Sequence, residues 1–108
     1  MEFVRTMDLT SKQRAQLRGL AATEDTIVHI GKGGITENII TQMSDALKAR
    51  ELVKGRVLEN SLLSAREACD RLAEVCRAEP VQVIGSKFVL YKRNEQKPKI
   101  ELVKKARK

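Results

Sequence analysis

Apolar residues recur along this chain with two different periods, and the changes between them divide it into helices and strands. Thr10 and Gln13 have the T-x-x-Q spacing of a capping box, and Ala15, Leu17, Leu20 and Ala21 come next, which predicts a helix over about residues 10 to 22. The run Thr26 to Ile30 is β-branched except at His29 and stops at Gly31, as a short buried strand does. Thr36 suits a helix N-cap, Glu37 suits the first turn, and Ile35 and Ile40 are spaced as a hydrophobic staple. That helix should reach about Arg50, burying a face made of Ile39, Met43, Ala46 and Leu47. From Leu52 to Glu59 the period changes to two, with Val53, Gly55 and Val57 on one side and Lys54 and Arg56 on the other. Gly55 there predicts a bulge or the close approach of a helix. Ser64 and Glu67 form a second capping box, ahead of a stripe of Ala65, Ala68, Cys69, Leu72 and Cys76, with Pro80 beyond the end of that helix. Val81 to Ile84 and Phe88 to Lys92 are strand-like runs around Gly85, Ser86 and Lys87, the arrangement of a hairpin.

The predicted order is therefore αβαβαββ. Alternation of strands with helices implies βαβ crossovers between parallel neighbours, and the closing hairpin adds an antiparallel pair. The fold class is α/β: a single domain with a four-stranded mixed sheet packed with helices. A chain of 108 residues has room for one such core. With 42% hydrophobic and 32% charged residues it has the composition of a folded domain with a strongly solvated exterior.

Charge narrows the choice of partner. Lys and Arg number 21 against 14 Asp and Glu, a formal net charge of +7 that favours polyanions. From Lys92 onward the cations are 92, 93, 97, 99, 104, 105, 107 and 108, against Glu95 and Glu101. Residues 94–108 are thus expected to be a basic tail after a domain at 8–93; RNA contact is the functional reading of that tail, and a solubilising role is the plainer one. No stretch has the length and apolarity of a membrane span or a signal peptide, so a cytoplasmic location is expected. Met1 to Thr6 differ in character from the rest of the chain, which makes Met7 a candidate natural start. Cys69 and Cys76 lie two helical turns apart on one face, too far to bridge, and read as small buried residues. With His29 the only histidine, no metal site is expected, and no cofactor either.

The segment Gly31, Lys32, Gly33, Gly34 carries the most specific chemistry. Leaving a strand and entering a helix, such a loop lets backbone N–H groups approach phosphate without side chains in the way. Lys32 adds a mobile charge, and the positive end of the next helix points the same way. A tight turn that needs glycine for its backbone angles is the structural alternative. Neither G-x-x-x-x-G-K-[ST] nor G-x-G-x-x-G is present, so P-loop and dinucleotide readings are set aside. No Ser, Cys or acidic partner is placed beside His29, which leaves catalysis without a nucleophile or base, and His29 is expected to be structural, with a minor role at the RNA surface open to it. Aromatic residues are limited to Phe3, Phe88 and Tyr91, too few for base-stacking platforms. Recognition should rest on backbone and shape, hence on structured RNA. Arg14 with Arg18, and Lys54 with Arg56, are candidates to extend the basic surface, although each pair is also what a solvated face looks like.

Taken together, these strings resemble the CRM (chloroplast RNA splicing and ribosome maturation) domain in its stand-alone bacterial YhbY form. The resemblance is carried by Leu9 to Arg14 with Leu17 and Arg18, by Ile30 to Thr36, by Leu52 to Lys54 with Val57 and Leu58, and by Ile84 to Lys87 with Leu90 to Lys92. It implies a fold similar to the C-terminal domain of translation initiation factor three, with Gly31 to Gly34 as an RNA contact and Lys92 as a further basic position. The family more often has Arg at that last place, so a bidentate phosphate contact would be lost. At Gly55 it leads one to expect a side chain, and its absence suggests a local bend. The resemblance further implies association with precursors of large-subunit ribosomal RNA, while the small size and the lack of coiled-coil heptads predict a monomer, and the lack of paired carboxylates, a nucleophile or metal ligands predicts a non-enzymatic protein. The alternative is an interaction adaptor docking through a sheet edge or the third helix, with RNA contact incidental.

Overall fold

The computed structural model describes residues 9–94 and Ile100. Among the described residues seven elements occur, in the expected order: α1 (Ser11–Ala21), β1 (Thr26–Ile30), α2 (Glu37–Arg50), β2 (Leu52–Val57), α3 (Ala65–Cys76), β3 (Glu79–Ile84) and β4 (Lys87–Tyr91). The helix starts are fixed by side chains. The Thr10 hydroxyl accepts from the Gln13 N–H at 3.1 Å while the Gln13 side chain accepts from the Thr10 N–H at 3.0 Å. Ser64 and Glu67 repeat this at 3.1 and 2.9 Å, and Thr36 caps α2 by accepting from the Ile39 N–H.

The strands form one mixed sheet in the order β1-β2-β4-β3, with β1 parallel to β2 and both hairpin strands antiparallel to their neighbours. This corrects one expectation. The β2-α3-β3 crossover does not place β3 beside β2; it leaves a gap of one strand, which β4 fills by folding back from the hairpin. Alternation along β2 and β4 sorts the core into two layers. Val53, Val57, Phe88 and Leu90 join Val28 and Ile30 on one face, beneath Met43 and Leu47 of α2 and Ala68, Cys69, Leu72 and Cys76 of α3. Leu52, Val89, Tyr91 and Val81 meet Leu17 and Ala21 of α1 on the other.

Two sequence positions find different uses from those expected. Gly55 is neither a bulge nor a helix contact: the Phe88 ring of β4 lies against it, and a Cβ added there would meet Phe88 Cζ at 2.4 Å. The missing side chain is therefore matched by a buried ring, and the irregularity in the parallel pair falls in β1, between Thr26 and Val28. Pro80 does not stand in a connection after α3 but inside β3, where an edge strand tolerates its missing N–H. β2 ends at Val57, and β4 runs Lys87–Tyr91, so Lys92 lies just past the strand.

Candidate nucleic-acid interface

Three chain reversals meet at one end of the sheet. β1 runs out into Gly31 to Gly34, β2 leaves in parallel beside it, and the β3-β4 turn returns at the same level. Backbone hydrogen bonds tie them: the Leu58 N–H donates to the Ile30 carbonyl and the Val57 N–H to the Ser86 carbonyl, both at 2.8 Å. The glycine loop is a tight turn closed by the Gly34 N–H on the Gly31 carbonyl at 3.0 Å. Its central residues, Lys32 and Gly33, are exposed and have no positive φ, whereas Gly34 sits at φ 73°, where a side chain would be strained. Gly31 faces the Asn60 side chain, whose Oδ1 would stand 3.4 Å from an added Cβ. The loop then enters α2, whose first turn keeps N–H groups beyond the one that Thr36 accepts. The turn geometry requires glycine at Gly34 and leaves the loop tip open at Lys32 and Gly33.

The other candidate cations are distributed unevenly. Arg56 is exposed on β2 near the loop end, on the sheet face opposite α2 and α3; Lys54, half-buried, lies on the same face one step closer to α1. Arg18 is exposed on α1. Arg14 is half-buried, and its guanidinium donates to the Pro80 carbonyl, which joins α1 to the start of β3. Lys92 comes directly after Tyr91, the partner of Leu52, and so lies at the far end of β2 from the loop, roughly 17 Å of strand away. The structure thus gathers Gly31 to Gly34 with Arg56, places Lys54 nearby, and sets Arg14 and Lys92 toward the opposite end. The basic tail beyond Asn94, apart from Ile100, is outside the described residues.

Glu51 is a position that sequence reasoning misses. It joins α2 to β2 with a positive φ of 68° and is fully buried. Its carboxylate accepts from the Asn94 N–H at 2.6 Å and from the Ile100 N–H at 2.7 Å, while its carbonyl accepts from the Lys92 N–H at 2.9 Å. It fastens the chain that leaves β4. The only signal in the sequence is the absence of a glycine where α2 must stop and turn directly into a strand. Burial, with the Glu51 charge assisting and Arg93 opposing, pushes the Tyr91 hydroxyl up to about 12. Burial, then Asp70, with Arg66 opposing, pushes the Cys69 thiol up to about 12, and burial also raises Cys76 against the pull of Lys92. Both thiols stay protonated near neutrality and behave as apolar packing.

The pattern of the CRS1 / YhbY (CRM) domain matches residues 9–92. The chain belongs to this family. Among its CRM relatives, the Probable RNA-binding protein YqeI of Bacillus subtilis is 40% identical over 94 residues, covering 87% of this chain and 98% of YqeI. A Haemophilus influenzae protein named RNA-binding protein is 32% identical over 97 residues, covering 90% of this chain and 97% of the relative. The solution structure of the hypothetical protein SAV1595 from Staphylococcus aureus superposes with a TM-score of 0.74 at 47% identity, over 89% of this chain and all of that one. The CRM match begins at the residue before the α1 cap and ends at Lys92, so it takes in every element of the sheet.

Proposed function

We propose that this CRM domain is a non-catalytic RNA-binding protein that grips the sugar-phosphate backbone of structured RNA at the loop end of its sheet. The observation that carries the reading is the Gly31 to Gly34 turn, exposed at Lys32 and Gly33 and seated at the start of α2. The net charge of +7 and the relatives named as RNA-binding support the same class of partner. Arg56 and Lys54 extend the contact across the adjoining face, and Arg18 and the Lys and Arg residues from 92 onward are cations that a longer RNA reaches. Arg14 acts first through Pro80, and Lys92 serves a contact remote from the loop. The RNA we assign, in keeping with the family resemblance, is a precursor of large-subunit ribosomal RNA, bound by a monomer in the cytoplasm. Among the described residues no helix is long and apolar enough to cross a membrane.

The adaptor reading draws less support from the sheet edge. β3 is an edge strand, but Pro80 and the register shift between Pro80 and Gln82 interrupt the row of donors that an added strand would need. Titration of a large-subunit ribosomal RNA fragment with the wild-type protein and with Lys32→Ala tests the RNA reading. Binding should weaken steeply with salt, and the substitution should cost about 1 kcal/mol or more, as for a lost charge-assisted phosphate contact. Unchanged affinity after replacement of the whole loop would remove it from the site.

A further inference from the structure

On β2 and its two neighbours, the sheet register places one residue from each strand in a line. His29 of β1 is the partner of Arg56, and Arg56 is the partner of Lys87 on β4. Residues paired in this way share a face and stand about 5 Å apart. The line continues to Ile84, the partner of Lys87 on β3, which is 61% exposed. All four side chains are exposed, and they lie on the α1 face, since Val28, Gly55 and Phe88 beside them turn the other way. α1 does not cover this row: its buried residues Leu17 and Ala21 pack on Leu52, Val81, Val89 and Tyr91, nearer the opposite end.

The row's charge is unbalanced. Among the described residues no carboxylate pairs with His29, Arg56 or Lys87, and two like charges stand directly opposite each other at Arg56 and Lys87. Like charges in that position oppose folding. The row also begins where β1 gives way to the glycine loop: His29 is one residue from the end of the strand, and Lys87 comes after the turn whose Ser86 carbonyl holds β2. A strip of one imidazole and two cations across three strands is thus continuous with the exposed tip at Lys32 and Gly33.

We infer that this strip is a second phosphate-binding surface, on which His29, Arg56 and Lys87 receive the backbone of the same RNA that meets the loop. The inference rests on the proposed RNA-binding function and adds His29 and Lys87 to it. RNA entering at the loop runs across the strands, from β1 to β4, and its phosphates neutralise a row that the protein itself leaves unpaired. Ile84 marks the end of the strip, where cationic side chains give way to an aliphatic one.

A mixed-sequence stem-loop RNA is the probe. Binding is measured against salt for the full chain, for Lys32→Ala, for Arg56→Gln/Lys87→Gln, for His29→Ala, and for Arg66→Gln/Arg71→Gln, a control that removes equal charge from the exposed surface of α3. The sheet double variant should lose roughly tenfold in affinity or more, and its salt slope should fall by about one to two. His29→Ala should bind more weakly than wild type, and the α3 control should stay within about twofold of it. If the wild-type chain does not bind the stem-loop, the RNA-binding reading falls and this inference with it. If wild type binds and Lys32→Ala weakens binding while the sheet double variant matches the α3 control, the inference alone is overturned. Thermal melts of the free variants separate contact from folding: all substituted positions are exposed, so melting should not fall, and relief of the Arg56-Lys87 repulsion should raise it slightly if it changes at all.

Discussion

Replacing Gly55 with alanine tests whether the packing of β2 against β4 is as tight as it stands. The added Cβ would lie 2.4 Å from Phe88 Cζ and 2.7 Å from Phe88 Cε1, distances that real Cβ atoms do not tolerate. Phe88 is fully buried among Val28, Val53 and Leu72, so its ring has no open space to move into. Forced overpacking of this kind costs about 1–3 kcal/mol. Alanine recovers about 0.5–1 kcal/mol of the backbone freedom that glycine loses on folding. Two ring contacts this short place the cost in the upper part of that range, about 2–3 kcal/mol, so the net expectation is a loss of about 1–2.5 kcal/mol, which for a domain of this size lowers Tm by about 4–20 °C. Thermal unfolding followed by circular dichroism reads the change. The same substitution in a Phe88→Leu background should cost less, because the smaller side chain yields the space, with a coupling of about 0.5–3 kcal/mol. An unchanged Tm for Gly55→Ala, or an equal cost in both backgrounds, would refute the close-approach explanation. Since Gly55 lies between Lys54 and Arg56, a displaced β2 should weaken RNA binding as well.

Other consequences can be checked separately. Glu51→Ala removes the acceptor of the Asn94 and Ile100 N–H groups and should cost about 1–3 kcal/mol in urea unfolding; faster hydrogen exchange at those two amides should accompany it, and a loss below about 0.5 kcal/mol would contradict the anchoring role. Thr10→Ala breaks the first capping box and should cost about 1 kcal/mol, measured in the same way. Alkaline stability has a defined sign. Cys69 and Tyr91 are held at about 12 in the folded chain against ordinary values of 9.0 and 10.0, so above pH 9 the unfolded chain gives up protons first and stability should fall between pH 9 and 12. A stability curve that stays flat to pH 12 would contradict this. Iodoacetamide should label Cys69 slowly at pH 8 in the native protein and rapidly in denaturant, whereas rapid native labelling would show an accessible thiolate.

The parts of the fold legible in the sequence are those specified locally. Capping at Thr10 and Ser64 depends on residues three positions apart, and the stripe from Ala65 to Cys76 and the alternation of Lys54 and Arg56 come from helix and strand periods alone. The features that stay hidden depend on pairing between distant segments. Nothing near Gly55 reveals that Phe88 will lie against it, and hairpin spacing does not disclose that β4 inserts between β2 and β3. Pro80 reads as a helix stop because its position on an edge strand is a property of the sheet rather than of its neighbours. Glu51 has the sequence context of an ordinary exposed glutamate, and only the returning chain after β4 gives its carboxylate partners. The glycine loop is visible as a motif and a family resemblance, whereas its alignment with Arg56 and the separation of Lys92 from it require the register.

On the proposed function, RNA meets this protein at the end of the sheet formed by the glycine loop, the exit of β2 and the β3-β4 turn. Titration of isotope-labelled protein with a large-subunit ribosomal RNA fragment, monitored by amide chemical shifts, tests it most directly. The largest changes should fall on His29, Gly31 to Gly34, Arg56 and Ser86 to Lys87, with little change along the exposed face of α3 at Arg66, Asp70 and Glu74. Changes concentrated on α3 or along the β3 edge, with Gly31 to Gly34 unaffected, would contradict it.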